Sequence, residues 1–317
     1  MAITQTITAL VGEHYDRLLL DNLYPSLHFY EFGDKKRLPA GTGKTIHFTR
    51  YIKFGAAGAL TESSAVGVSD LSATRVSATV AGYGIATRHS DFIIMTGISD
   101  VVVDSIQEVA KSLALVIDNV TRAKISAAGT LQYGSSQTTK VINSTPFTEN
   151  DILDAVDTLD GLNAKRFEDG NYVCLAHPRT MKSIKKQTTA GSWVEVNKYA
   201  NSETVGKIYR GEVGMLHGVR FIQSANIPRL VGTAANSATT GLSGTTSGYN
   251  AFIFGAGAYG CVELDGGSAK TYIKQLGSAG TADPINQRAT VGAKVYYAAV
   301  NLDATNRLVR VAHGYNL

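Results

Sequence analysis

The stretch ISDVVVDSIQEVAKSLALVIDNVTRAKISAA, residues 98–128, decides how the chain is organised. Val102, Ile106, Val109, Leu113, Val116 and Val120 recur at steps of four, three, four, three and four, which puts all six on one face of a helix. Asp104 and Glu108, with Lys111 three further on, have the spacing of a solvated face. Gly97 precedes the run and Gly129 closes it. About thirty residues at 1.5 Å each make a rod of roughly 45 Å, long for a globular helix.

Upstream of the rod the period changes. In PAGTGKTIHF, residues 39–48, Gly43-Lys44-Thr45 ends the way a phosphate-binding loop ends. That motif needs a glycine where Leu38 stands, and a helix behind the Lys-Thr pair to aim free N–H groups at phosphate. Instead Ile46, Phe48, Ile52 and Phe54 alternate with polar residues, so the stretch reads as a turn entering a strand. Residues 75–88 read as a second strand, with Val76, Ala78 and Val80 alternating with Arg75, Ser77 and Thr79. The two strands make a long hairpin with a small-residue tip. An isolated hairpin is marginal in water, so Phe48, Ile52, Phe54, Val76 and Val80 need a surface to cover. Further upstream, residues 1–45 read as an irregular arm, with a short helical piece at Glu13 to Leu20. Its aromatic residues include Tyr24, Phe29, Tyr30 and Phe32. Such an arm must cover either its own core or a neighbour. Asp34 to Arg37 reads as a solvated basic turn.

Downstream, residues 148–163 form an amphipathic helix with Ile152, Val156 and Leu159 inward and a capping box from Thr148 to Asp151. Asp151, Asp154 and Asp157 form an acidic stripe that reads as solvated surface rather than metal ligands. Tyr172 to Ala176 is a buried strand stopped by His177-Pro178, and a short helix follows from Arg179 to Lys186. Residues 230–249 are a Gly/Ser/Thr/Ala loop tract. Strands dominate after it: Ala251 to Phe254, Lys270 to Gln275, Ala293 to Val300 and Leu308 to Val311. The class is α+β with antiparallel strands.

Composition excludes more than it selects. The 317 residues are 44% apolar and 18% charged, which suits a globular protein with a sizeable core. A net charge of +4 does not announce a nucleic-acid binder. Cys174 and Cys261 fit no disulfide framework or zinc pattern, and a reducing cytosol is expected. The first residues lack the build of a secretory signal, and no run approaches eighteen apolar residues, so no membrane contact is expected. Gly255-Ala-Gly-Ala-Tyr-Gly260 fits G-x-G-x-x-G, but a strand and a turn follow where a dinucleotide site needs a helix. The histidines at 14, 28, 47, 89, 177, 217 and 313 are scattered and read as structural. No catalytic residue, cofactor site or metal site is expected, and the chain is not expected to be an enzyme.

The order of elements — aromatic arm, long hairpin, long solitary helix, mixed domain with a glycine-rich insert — resembles the major capsid proteins of tailed bacteriophages, the HK97-like fold. Shorter stretches are similar to the coat proteins of N4-like phages. They are Tyr15-Asp16-Arg17 with Tyr24-Pro25, Gly43-Lys44-Thr45, Leu60-Thr61-Glu62 and Asn197-Lys198-Tyr199-Ala200. Gly211-Glu212-Val213-Gly214, Gly218-Val219-Arg220-Phe221 and Lys274-Gln275-Leu276-Gly277 follow, then Asp283-Pro284, Asn286-Gln287-Arg288 and Val291-Gly292. Ala293 departs from that branch, where an aromatic residue is expected.

The resemblance implies an N-terminal arm at 1–43, an E-loop hairpin at 44–92, and a spine helix with the first part of a peripheral domain at 93–190. It further implies an axial domain at 191–267 and a return to the peripheral domain at 268–317. It implies pentamers and hexamers of an icosahedral shell around double-stranded DNA, held non-specifically, in a virion assembled in the host cytoplasm. The hairpin residues Phe48, Ile52, Phe54, Val76 and Val80, and the arm residues Tyr24, Phe29, Tyr30 and Phe32, become expected contacts between subunits. A separate scaffolding protein, a portal and a decoration protein are the expected partners, since no extra N-terminal scaffolding segment is seen. The alternative within the same fold is an encapsulin-like nanocompartment enclosing cargo enzymes. An enzyme using one of the two glycine loops and a DNA-binding module are the readings from other classes.

Overall fold

The computed structural model describes residues 27–52, 54–59, 68, 70–97, 100–135, 145–187, 212–231, 247–266, 269–278 and 283–314. In chain order the elements begin with α1 (His28–Glu31), β1 (Asp34–Leu38), β2 (Thr45–Tyr51), β3 (Ala73–Thr79), β4 (Ala81–Ser90), α2 (Asp91–Thr96) and α3 (Val101–Ser126). They continue with β5 (Thr130–Tyr133), α4 (Glu149–Gly161), β6 (Tyr172–Ala176), α5 (Pro178–Lys185), β7 (Glu212–Leu216), β8 (Val219–Gln223) and β9 (Leu230–Val231). The last are β10 (Ser247–Phe254), β11 (Tyr259–Leu264), β12 (Lys270–Lys274), β13 (Arg288–Asn301), α6 (Ala304–Arg307) and β14 (Leu308–Gly314).

The rod α3 is 26 residues long, about 39 Å at the helical rise. Asp100 starts it, its carboxylate accepting from the N–H groups of Val102 and Val103. The buried face steps by four along Ile106, Ala110, Ala114 and Asp118, with Val109, Leu113, Ile117 and Thr121 beside it. Val102, Val116 and Val120 are only half-buried; Ile117 takes the place the spacing assigned to Val116. Each fully buried Ile or Leu on this face contributes about 1.5–3 kcal/mol.

The rod serves two sheets. In the five-stranded sheet, the 14-residue β13 is the common partner. It pairs antiparallel with β4 along Arg288 to Tyr297, with β12 along Thr290 to Lys294 and with β11 along Tyr297 to Asn301. β1 closes that sheet, parallel to β11. The second sheet runs β5-β14-β10-β6-β8-β7, with β9 on β10. One core joins Ile106, Leu113 and Ile117 of the rod to Val291, Val295 and Tyr297 of the first sheet and to Val173, Leu175 and Phe252 of the second. On the other face of the second sheet, Ile152 and Leu159 of α4 and Met181 and Ile184 of α5 cover Cys174, Phe221, Ile253 and Val311.

Three local readings are corrected. The run at 75–88 is not one strand. β3 ends at Thr79 and pairs with β2, while β4 begins at Ala81 and pairs with β13. Asp34 to Arg37 lies in a strand, exposed because it forms the edge of its sheet. Asp151 is buried: it accepts from Thr148 N and Oγ1 and from Ser135 N, leaving Asp154 and Asp157 outside that cluster.

The arm is tied to its own subunit. Phe29 is fully buried, edge-on to Phe252, and Tyr259 donates its hydroxyl to the Phe29 carbonyl at 2.6 Å. Asp118, buried in the rod, accepts from Phe29 N at 2.8 Å and from Asn226 Nδ2 at 2.9 Å. Burial pushes its carboxyl up, and those hydrogen bonds and the nearby His28 and Arg122 oppose the shift. Tyr30 packs on Tyr297, and Phe32 on Phe167 and Phe254. Phe29 therefore has no surface left for a neighbour, and Tyr30 and Phe32 keep only a minor part of theirs exposed. Tyr24 and the helical piece at Glu13 to Leu20 lie outside the described residues.

Candidate assembly surface

β2 and β3 form a ribbon of their own, paired from Thr45 with Thr79 to Tyr51 with Ala73. Its base is docked on the body. Phe48 and Ala78 are buried against Leu38, Val262 and Ala298, with Ile46, Val76 and Val80 half-buried beside them. Lys36 sits 4.3 Å above the Phe48 ring. Gly260 lets the ring approach, since a Cβ there would lie 3.0 Å from it. Arg50 pairs with Asp303 at 2.5 Å, and Arg307 reaches the same carboxylate at 3.3 Å. A groove of about 270 Å³ remains between ribbon and body, beside Gly257, and Asp303 pairs with both arginines on its wall.

Beyond the base, nothing in the described chain covers the ribbon. Tyr51, Ile52, Val68 and Leu71 are exposed, and Phe54 is 53% exposed. Of the five hairpin residues expected at a contact, Ile52 and Phe54 are open, Val76 and Val80 are half-buried, and Phe48 is consumed by the subunit's own core.

A second apolar area was not anticipated. α2 presents Phe92, Ile93, Ile94 and Met95, with Phe92 72% and Met95 79% exposed. Ser90 caps it, and Asp91 N donates to the Gln287 carbonyl, which sets α2 at the end of β4; Ile285, two residues before Gln287, is itself 70% exposed. The signal was the run Phe-Ile-Ile-Met between Asp91 and Thr96. The run alone does not tell core from surface, and only the backbone path shows that it is left outside.

The two glycine loops have structural uses. Gly41 and Gly43 have φ of 81° and 98°, the left-handed region, and Lys44 after them is exposed at the foot of β2. Gly255 passes so close to the chain that a Cβ would lie 2.3 Å from the Lys165 carbonyl oxygen; β11 follows it. Among the described residues no three His, Cys, Asp or Glu side chains are grouped to hold a metal, and no helix is long and apolar enough to cross a membrane. His89 meets Ser105 and Thr87, His177 caps α5, His217 meets Glu149 at 2.5 Å, and His313 is buried against Thr180. His14 lies outside the described residues. Burial pushes the Cys174 thiol well above its usual range and that of Cys261 up to about 12, so both stay protonated and unreactive.

This geometry is an HK97-like capsid fold, and solved structures share it. The capsid of Ralstonia phage GP4 covers 89% of this chain and 87% of its own, with a TM-score of 0.73 at 13% identity. The capsid of cyanophage P-SCSP1u covers 92% and 89%, with a TM-score of 0.66 at 14% identity. That of cyanophage Pam1 covers 93% and 92%, with a TM-score of 0.63 at 14% identity. At such identities the likeness is one of fold. In sequence, the family described as phage capsid protein matches residues 121–273, just under half of the chain, from the last turns of the rod to β12. No curated protein matches the chain in sequence. The family match and the shared fold together support a phage major capsid protein, a structural protein of the virion capsid. An encapsulin-type compartment is not favoured.

Proposed function

We propose that many copies of this chain assemble as pentamers and hexamers into an icosahedral shell around double-stranded DNA, as in the N4-like branch that the ordered stretches resemble. The observation that carries this reading is the ribbon with a docked base and an open apolar end. Ile52 and Phe54 belong to an element the subunit holds away from its own core, and a neighbouring copy is the natural cover. In this reading residues 44–92 are the assembly hairpin and the arm at 1–43 is mainly a brace. Residues 93–190 and 268–317 build the peripheral domain and 191–267 the axial one. Scaffolding, portal and decoration proteins are separate chains, and DNA touches the inner face weakly through phosphates, as a net charge of +4 allows.

The test is to replace residues 56–72 with a short Gly-Ser turn and follow folding and assembly separately. Circular dichroism and cooperative melting stay near normal, and electron micrographs show no closed shells. Intact shells from this variant would overturn the hairpin's role. Nucleic-acid content of wild-type particles separates a DNA-filled shell from one that encloses protein cargo.

A further inference from the structure

The face of the seven-stranded sheet that meets α3 holds a cation with no counter-ion among the described residues. Arg310 on β14 lies opposite Phe252 on β10, and Asn250 lies two residues back on the same face. Arg310 is 8% exposed and Asn250 3%. Arg310 Nη1 donates to the carbonyl of Ser126, the last residue of α3, at 2.6 Å. A cation suits that helix end, but it uses one of five guanidinium N–H groups. Among the described residues no carboxylate reaches Arg310, and neither its Nε nor Asn250 Oδ1 has a hydrogen-bond partner. A buried, unpaired charge is costly, and buried guanidinium groups normally meet an acid.

Both residues line a cleft of about 100 Å³ whose remaining wall includes Ile227, Leu230 and Phe252. We propose that this cleft is a binding site for one carboxylate carried on a short aliphatic stem. The guanidinium supplies N–H donors in the planar arrangement a carboxylate accepts; Asn250 can join only through Nδ2, because its unpaired Oδ1 is itself an acceptor. The apolar wall takes methylene groups and disfavours a fully hydrated anion such as phosphate. The volume holds about three groups of water size, which limits the stem to two or three carbons. The same chemistry is available from a free short-chain acid or from a glutamate side chain of a neighbouring copy.

Sodium butyrate is the probe. The isolated full-length subunit is melted in butyrate and in chloride of equal ionic strength. Wild type gains about 2–4 °C, saturating with butyrate. Arg310→Met shows no gain, and neither does Leu230→Trp, which fills the cleft and leaves the arginine in place. No gain in wild type, or an equal gain in Leu230→Trp, overturns the site, and the second variant decides if Arg310→Met fails to fold. The source of the acid is read from assembled particles. A gain equal to that of the subunit means a cleft open to free acid. Loss of the gain on assembly means a neighbour's carboxylate already fills it. The subunit arm stands whether or not particles form.

Discussion

Phe48 and Phe54 lie six residues apart on the way out along one ribbon, and their surroundings are opposite. Phe48 is sealed between Lys36, Ala78 and Val262; Phe54 is more than half exposed. An alternating pattern says which side chains share a face. It does not say whose surface covers that face. The subunit covers the base itself and leaves the outer stretch for another chain, so damage at the two ends should register in different measurements.

The largest expected effect is at the sealed end. Phe48→Ala empties the base cluster and costs about 3 kcal/mol in urea unfolding of the subunit. A loss under about 1 kcal/mol would mean that the base is not a core at all. Acid gives the next effect, and it falls on the body rather than the ribbon. Burial holds the His313 imidazole down to about 4 from its usual 6.5, despite its contact with the Gly314 carbonyl. As pH falls through 6.5 the unfolded chain takes up the proton and the folded chain does not. The stability present above 6.5 is therefore lost progressively toward pH 4, by up to about 3 kcal/mol. Urea midpoints between pH 7.5 and 4.5 record this, and His313→Gln, which cannot take the proton, flattens the curve. The open end should behave oppositely to the base. Phe54→Ser shifts subunit stability by less than about 0.5 kcal/mol, yet particle yield in micrographs and sedimentation drops sharply. Unchanged yield would place the contact elsewhere, with the α2 surface next to be tested by Phe92→Ser. The smallest effect is at the boundary: Arg50→Ala removes a partly exposed ion pair to Asp303 and costs no more than about 0.5 kcal/mol.

How much of this was legible follows the same division. The rod, α4, β6 and α5 were readable because each buries one face against its own subunit, and burial stamps a period on the sequence. The break at Val80 was not, because Val76, Ala78 and Val80 keep alternating while the strand changes partner from β2 to β13. β1 was hidden because four of its five residues are exposed at a sheet edge, where charge is tolerated and no apolar alternation is needed. The arm's aromatics announced burial but not the recipient, and Phe29 proved to belong to the subunit's own core. The α2 quartet was passed over, because composition carries no record of which apolar runs are left outside the subunit's core. The placing of Arg310 and Asn250 on one face of the sheet was out of reach altogether, since it joins residues sixty positions apart.

The single residue Val80 between two sheets has a mechanical consequence. Val80 N donates to the Lys44 carbonyl as the last bond of the ribbon, and the next residue is already paired in β4. A pull on the outer end of the hairpin is thus handed straight to β4, which lies along β13 over ten consecutive positions. Loaded lengthwise, those bonds share the force and must shear together. The small cluster around Phe48 meets the same pull side-on and can peel open one contact at a time. Under tension the ribbon lifts from its seat first, like a hinged strut, while the sheet that anchors it holds.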